Sequence, residues 1–192
     1  MCLPPSVLLE STRPTTSTDS HWTSPPPEIE ETTMTGTGDR ALHIHSPAGL
    51  PFIDVRREFD APVSAVFRAH AEPELVARWL GPAGYEMSVE EYDFRSGGRY
   101  RYVHRDPGGA EYAFHGVFHT VRTDELAVQT FEYEGFPDVV SIEFLTFVDL
   151  GDRCRLEGHS VYPTMEARDS MAASGMEKGM REGYERLDDL LG

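Results

Sequence analysis

The chain has 192 residues, which is enough for one domain with a substantial core plus a tail. Seventeen basic residues against 33 acidic ones give a formal net charge of -16. This balance excludes nucleic acid and anionic membrane as expected partners, because phosphate binding is driven by clustered Lys and Arg. Only two cysteines are present and no apolar run approaches the length of a membrane span, so we expect a cytoplasmic protein.

The first 48 residues are predicted to be a disordered tail, and the domain is predicted to occupy residues 49–192. The tail is rich in Thr, Ser and Pro, a composition that buries too little apolar surface to offset chain entropy. Met34 stands just before the first residues of globular character, so we hypothesise that the natural start is Met34. Peptides from residues 1–33 in mass spectra of the native protein would refute this start site.

Two strands and two short helices are predicted to open the domain. Alternation of apolar and polar residues indicates a short strand at 41–45 and a clearer one at 52–59. Pro62, with Asp60 just before it, is predicted to open the first helix. Pro73 is predicted to open the second helix, which Gly81 and Pro82 end.

From residue 85 the hydrophobic period changes to two. Strands are predicted at 86–94, 99–105, 111–121, 127–133, 139–149 and 153–162. Their connections are short and rich in Gly, Pro and Asp, which is typical of turns between antiparallel neighbours. The segment is therefore predicted to be an antiparallel meander.

The last predicted element is one long helix from Thr164 to Leu190, with one apolar face. That face collects Met165, Ala172, Ala173, Met176, Gly179, Met180, Gly183, Tyr184, Leu187, Leu190 and Leu191. Three glycines, Gly175, Gly179 and Gly183, each lower helix propensity by about 1 kcal/mol. Either they let the backbone approach a sheet closely, or they leave room for a ligand beside the adaptable methionines.

The element order predicts an α+β fold. A curved antiparallel sheet of about six to seven strands would wrap around the long C-terminal helix, with two short helices after the first strand.

Several segments, in this order, resemble the START-like (SRPBCC) helix-grip superfamily. They are residues 57–67, 72–82, 97–102, 112–118 and 175–180, followed by Arg186 and Leu187. The chain is most similar to the branch of heat-shock-protein-90 ATPase activator homologues, over about residues 51–192. The resemblance implies an elongated cavity between sheet and helix. Proteins of this superfamily bind lipids, steroids or polyketides, act as aromatic-ring cyclases, or serve as co-chaperone modules.

Candidate ligand-binding residues are aromatic strand positions, a tryptophan of the second short helix and residues of the C-terminal helix. They are Trp79, Tyr100, Tyr102, His104, Tyr112, Phe114, Phe118, Phe131, Tyr133, Phe144, Met176, Gly179 and Met180. Periodicity does not fix which strand face points inward, and an aromatic strand face is also typical of a plain core.

Histidines are the candidate acid or base groups, since their pKa lies near neutrality. His104, His115, His119 and His159 qualify, with Arg99 and Glu157 as candidate partners, and His104 and His159 are the catalytic candidates. Each of these histidines, taken alone, is more often a solvated or structural residue. No metal and no cofactor is predicted. His115 and His119 lie about 13 Å apart along a strand, and the His43 and His45 pair lacks a third ligand.

The favoured hypothesis is binding of a small hydrophobic molecule between the sheet and the C-terminal helix, without assigned catalysis. One alternative is a polyketide cyclase-like or hydrolase-like enzyme that uses a pocket histidine. A second alternative is a chaperone-interacting module. The expected partner is thus a small hydrophobic molecule, with a chaperone or homodimer contact as a further expectation.

Overall fold

The computed structural model describes residues 39–192. The predictions of a disordered tail over residues 1–38 and of a start at Met34 lie outside the described residues. The described part begins within the predicted tail, and β1 (His43–His45) pairs antiparallel with β2 (Phe52–Phe59). The folded unit therefore starts before residue 49.

The two short helices follow β2 as expected. In α1 (Val63–Ala71) the N-cap is Pro62, so the helix begins one residue later than predicted. In α2 (Pro73–Trp79) the proline occupies the first helical position, where its missing N–H leaves no hydrogen bond unmade.

A single sheet forms the rest of the scaffold. Its further strands are β3 (Glu86–Tyr92), β4 (Arg99–Arg105), β5 (Glu111–Arg122), β6 (Leu126–Tyr133), β7 (Ser141–Asp149) and β8 (Cys154–Val161). All eight strands are antiparallel, in the order β1-β2-β8-β7-β6-β5-β4-β3. The meander from β3 to β8 is confirmed, and the sheet has one strand more than the upper expectation. Pairing of β2 with β8 joins the two ends of the domain.

The predicted single C-terminal helix is wrong, because the chain breaks into α3 (Met165–Ala173) and α4 (Met176–Leu191). Gly175 adopts φ 90 between them, the left-handed conformation that ends a helix and suits glycine best. Ala172 and Ala173, expected on the buried face, are exposed at the end of α3. The apolar face is retained in α4, where Gly183, Tyr184 and Leu187 are buried.

The other two glycines of α4 have different structural reasons. A Cβ at Gly183 would stand 3.1 Å from the Trp79 carbonyl oxygen, so this glycine permits close packing of α4 against the end of α2. A Cβ at Gly179 would meet only Pro82, at 3.8 Å, and its helix face opens on a cavity. Gly183 therefore permits a close backbone approach, although to the end of a helix rather than to the sheet. Gly179 instead leaves open space beside the helix.

An ion pair fixes α4 to β2. The Arg57 guanidinium donates a hydrogen bond of 2.5 Å to the Asp188 carboxylate, and its Cζ lies 5.5 Å from the centre of the Tyr184 ring. The Arg57 and Asp188 side chains are only 7% and 14% exposed, so the pair is largely shielded from water. Within residues 39–192 no helix is both long and apolar enough to cross a membrane.

Candidate ligand-binding cavity

A cavity of about 760 Å³ lies between the inner face of the sheet and the helices α3 and α4. This volume is in the range of small-molecule sites. Its wall includes every residue predicted to bind a ligand: Trp79, Tyr100, Tyr102, His104, Tyr112, Phe114, Phe118, Phe131, Tyr133, Phe144, Met176, Gly179 and Met180. A role of these residues in binding stays a prediction.

Alternate residues of β4, β5 and β6 make the wall aromatic. The Tyr100 and Tyr102 rings stack with centroids 5.9 Å apart, and Phe114 stacks on Phe131 at 5.4 Å. Gly116 makes room for Tyr100, because a Cβ there would overlap the Thr130 carbonyl oxygen and approach the Tyr100 ring to 2.8 Å. The Tyr100 hydroxyl donates to that same carbonyl at 2.8 Å, which fixes the ring in place.

Trp79 is both a wall residue and a structural anchor. Its Nε1 donates to the Ala69 carbonyl at 2.9 Å, and its ring stacks on Tyr184 with centroids 5.9 Å apart. Two other wall residues, Tyr85 and Phe136, are 36% and 63% exposed.

Phe144 and His159 share the outer face of the sheet. The two are register partners, and their ring centroids lie 6.0 Å apart. Phe144 is 37% exposed although it borders the cavity. His159 is outside the cavity wall, and its Nδ1 lies 2.7 Å from the Asp54 carboxylate. Of the two catalytic candidates, only His104 faces the cavity.

The other predicted acid or base groups are also engaged away from the cavity. The His115 ring nitrogens lie 3.4 Å from Glu132 and 3.7 Å from Glu134, while His119 contacts Thr120 at 2.8 Å on the exposed surface. The candidate partners of a catalytic histidine are paired elsewhere: Arg99 with Glu91, and Glu157 with Arg155. Residues 39–192 hold no group of three or more His, Cys, Asp or Glu side chains that could bind a metal.

His104 is held in an apolar corner of the cavity. Its ring packs against Gly81, where a Cβ would overlap the imidazole, and its buried Nε2 has no hydrogen-bond partner within the described residues. Burial, with a smaller contribution from the charge of Arg186, lowers the pKa of His104 to about 4. The imidazole is therefore neutral near pH 7.

Sequence reasoning missed several polar wall residues, among them His70, Gln129 and Glu143. The Gln129 amide donates to the Glu143 carboxylate at 3.0 Å, and burial raises the pKa of that carboxyl. In β7 the more apolar residues, Ile142 and Phe144, point outward, while Glu143 points inward. A period-two pattern favours the reverse orientation, so it offered no signal for Glu143.

His70 presents an acceptor to the cavity. Its Nδ1 lies 2.8 Å from the Val66 carbonyl oxygen, which can only accept, so Nδ1 carries the proton and Nε2 is unprotonated. Nε2 is buried without a partner among residues 39–192. Burial lowers the pKa of His70 to about 4.

A curved antiparallel sheet gripping a C-terminal helix over an internal cavity defines the helix-grip class of proteins. The profile of the family described as "Activator of Hsp90 ATPase homolog 1-like protein" matches residues 60–192, and this chain belongs to that family. The predicted branch of the superfamily is thereby confirmed. Membership of this family indicates, in general terms, a domain of a ligand-binding type.

Solved structures of bacterial proteins share the fold. A protein from Arthrobacter aurescens is 26% identical, with a TM-score of 0.72 over 78% of this chain and 90% of its own. A protein from Rhodobacter sphaeroides is 26% identical, with a TM-score of 0.72 over 79% of this chain and 98% of its own. Protein Ms6760 from Mycobacterium smegmatis is 23% identical, with the same TM-score of 0.72, over 79% of this chain and 98% of its own. No curated protein matches the chain significantly.

Proposed function

We propose that this protein binds a small hydrophobic molecule in the cavity between the sheet and α4. The observation that carries the proposal is the cavity itself, about 760 Å³ in volume and walled mainly by aromatic and apolar side chains. A well-packed core leaves few voids larger than a water molecule, so a space of this size is typical of a site rather than of a packing defect.

The helix facing the cavity supports the same proposal. Gly179 lowers helix propensity by about 1 kcal/mol without permitting any close backbone contact. Met176 and Met180, on either side, are flexible side chains that adapt to irregular surfaces. This part of α4 therefore retains space at the expense of helix stability.

Binding is favoured over cyclase-like or hydrolase-like catalysis by the state of His104. A general base works best with a pKa near the working pH. The pKa of His104, about 4, leaves it a weak base at neutral pH. A chaperone partner and a cytoplasmic location stay predictions.

The direct test is native mass spectrometry of protein purified from its own host, before and after gentle denaturation. We expect a discrete small-molecule adduct that is lost on unfolding. The variant Gly179→Leu should lose the adduct because its side chain would enter the cavity. The control is Lys178→Leu, which adds the same side chain at a neighbouring, 81% exposed position and should keep the adduct.

Two outcomes would contradict the proposal. One is an adduct retained equally by Gly179→Leu and Lys178→Leu, which would locate the ligand outside the cavity. The other is an empty protein that also gives no thermal stabilisation with a panel of hydrophobic metabolites.

A further inference from the structure

Among the residues that line the cavity, one carries a carboxyl group. Glu143 is the third residue of β7, with Gln129 of β6 and Ser160 of β8 as its register partners, and all three line the wall. The Gln129 amide donates to Oε2 of the carboxylate at 3.0 Å, while the nearby Ser141 hydroxyl donates to the Phe131 carbonyl. The carboxylate thus accepts a hydrogen bond from a neutral donor.

This carboxylate has no counter-ion within the described chain. No Arg or Lys lines the cavity, and the groups that act on Glu143 are the neutral side chains of Gln129 and Ser141 together with burial itself. Burial without an opposite charge raises the pKa of Glu143, which is the signature of an uncompensated carboxylate. Such a group is unfavourable in the apo protein, and a cation that reached it would relieve that cost.

The surroundings of Glu143 are aromatic. Tyr100, Tyr102 and Tyr184 all lie near enough to the carboxylate for its charge to raise their pKa values further. The faces of aromatic rings attract cations. A carboxylate among aromatic faces is therefore the chemistry that recognises an ammonium group. The net charge of -16 adds a field that disfavours anionic ligands.

We propose that the ligand of this cavity is an aromatic or polycyclic amine whose ammonium group pairs with Glu143. The inference rests on the proposed function, because it names the chemical class of the molecule that the same cavity takes. It implies that the cavity binds the amine more tightly than a neutral alcohol of the same shape, and that it binds the corresponding carboxylic acid most weakly.

The test uses three fluorescent probes that share one ring system and differ in the head group at the same ring position: (aminomethyl)anthracene, anthracenemethanol and anthracenecarboxylate. Affinities are measured at neutral pH by fluorescence titration and calorimetry for the full-length protein and for Glu143→Gln. The matched control is Glu157→Gln, on the outer face of β8, where Glu157 pairs with Arg155. Circular dichroism verifies that each variant is folded.

We expect the amine to bind the native protein about tenfold or more tightly than the alcohol, and the carboxylate to bind most weakly. Glu143→Gln should lower the affinity for the amine about tenfold and should change the affinity for the alcohol by no more than about threefold. Glu157→Gln should change neither affinity. Equal affinities of amine and alcohol, or an amine affinity unchanged in Glu143→Gln, would overturn the inference while leaving the hydrophobic cavity as a binding site. Binding of none of the three probes would overturn the inference, while the adduct measurement on Gly179→Leu and Lys178→Leu tests the proposed function separately.

Discussion

The stability of this protein should fall on acidification because burial lowers the pKa of two imidazoles, His104 and His70. The sharper test is His70. Its pKa is about 4 in the folded state and about 6.5 when exposed. A histidine with a lowered folded pKa favours the folded state fully above the exposed value, and that stability is lost as pH falls from 6.5 toward 4. At about 1.36 kcal/mol per pKa unit, the full loss is about 3 kcal/mol, of which about 2 kcal/mol has gone by about pH 5.

The assay is urea unfolding over a pH series from about 7.5 to about 5 for the native protein and for His70→Asn. The asparagine amide can still donate toward the Val66 carbonyl, so the variant loses the titrating group and keeps the donor. Loss of the packed imidazole ring lowers the stability of His70→Asn at every pH. The informative quantity is therefore the slope of the free energy of unfolding against pH. The gap between the two free energies of unfolding should narrow by about 2 kcal/mol toward about pH 5.

A parallel pair of curves for the native protein and His70→Asn would refute the reasoning, because it would mean that His70 charges as readily folded as unfolded. The control is His119→Asn, a change at an exposed histidine, which should leave the slope of the native protein unchanged.

Three further predictions address the glycines, the buried carboxyl and the cysteine. Gly179→Ala should raise the free energy of unfolding by about 1 kcal/mol, because alanine favours the helix and its Cβ meets no close contact. Gly183→Ala should lower the free energy of unfolding, because the added Cβ would press on the Trp79 carbonyl. Equal effects of the two substitutions in chemical denaturation would contradict this difference. A raised carboxyl pKa removes stability as pH rises above 4.5, so Glu143→Gln should gain stability relative to the native protein as pH rises from 4.5. A difference that stays constant with pH would contradict this. Cys154 is fully buried and its pKa is raised to about 11. In the variant Cys2→Ser, where Cys154 is the remaining cysteine, a thiol reagent should therefore react only at the rate of unfolding. Fast labelling of the folded protein would disprove that Cys154 is buried.

The fold could be predicted from local signals because each strand carries its own boundaries. The strand 99–105 was predicted with the observed bounds, since glycines precede it and a Pro-Gly-Gly turn follows it. The break at Gly175 could not be found this way. Gly179 and Gly183 are the same residue type at the same spacing, and only tertiary contacts distinguish the glycine that ends a helix from the two that continue it.

The aromatic wall could be predicted because its members are large, apolar and alternate along β4, β5 and β6. Its polar members could not. Glu143 is a charged residue between two apolar ones, and hydrophobic alternation assigns such a residue to solvent. Its inward orientation is set by the register of β7 against β6 and β8, which no local pattern encodes.

Pairing of β2 with β8 has a consequence for how the chain folds. Phe52 lies beside Val161, so β2 can pair with β8 only after about a hundred further residues have been synthesised. The hairpins from β3 to β7 join neighbours in sequence and can form while the edge of β2 that faces β8 is still unpaired. The seam between β2 and β8 therefore closes late, and substitutions there should mainly accelerate unfolding rather than slow folding.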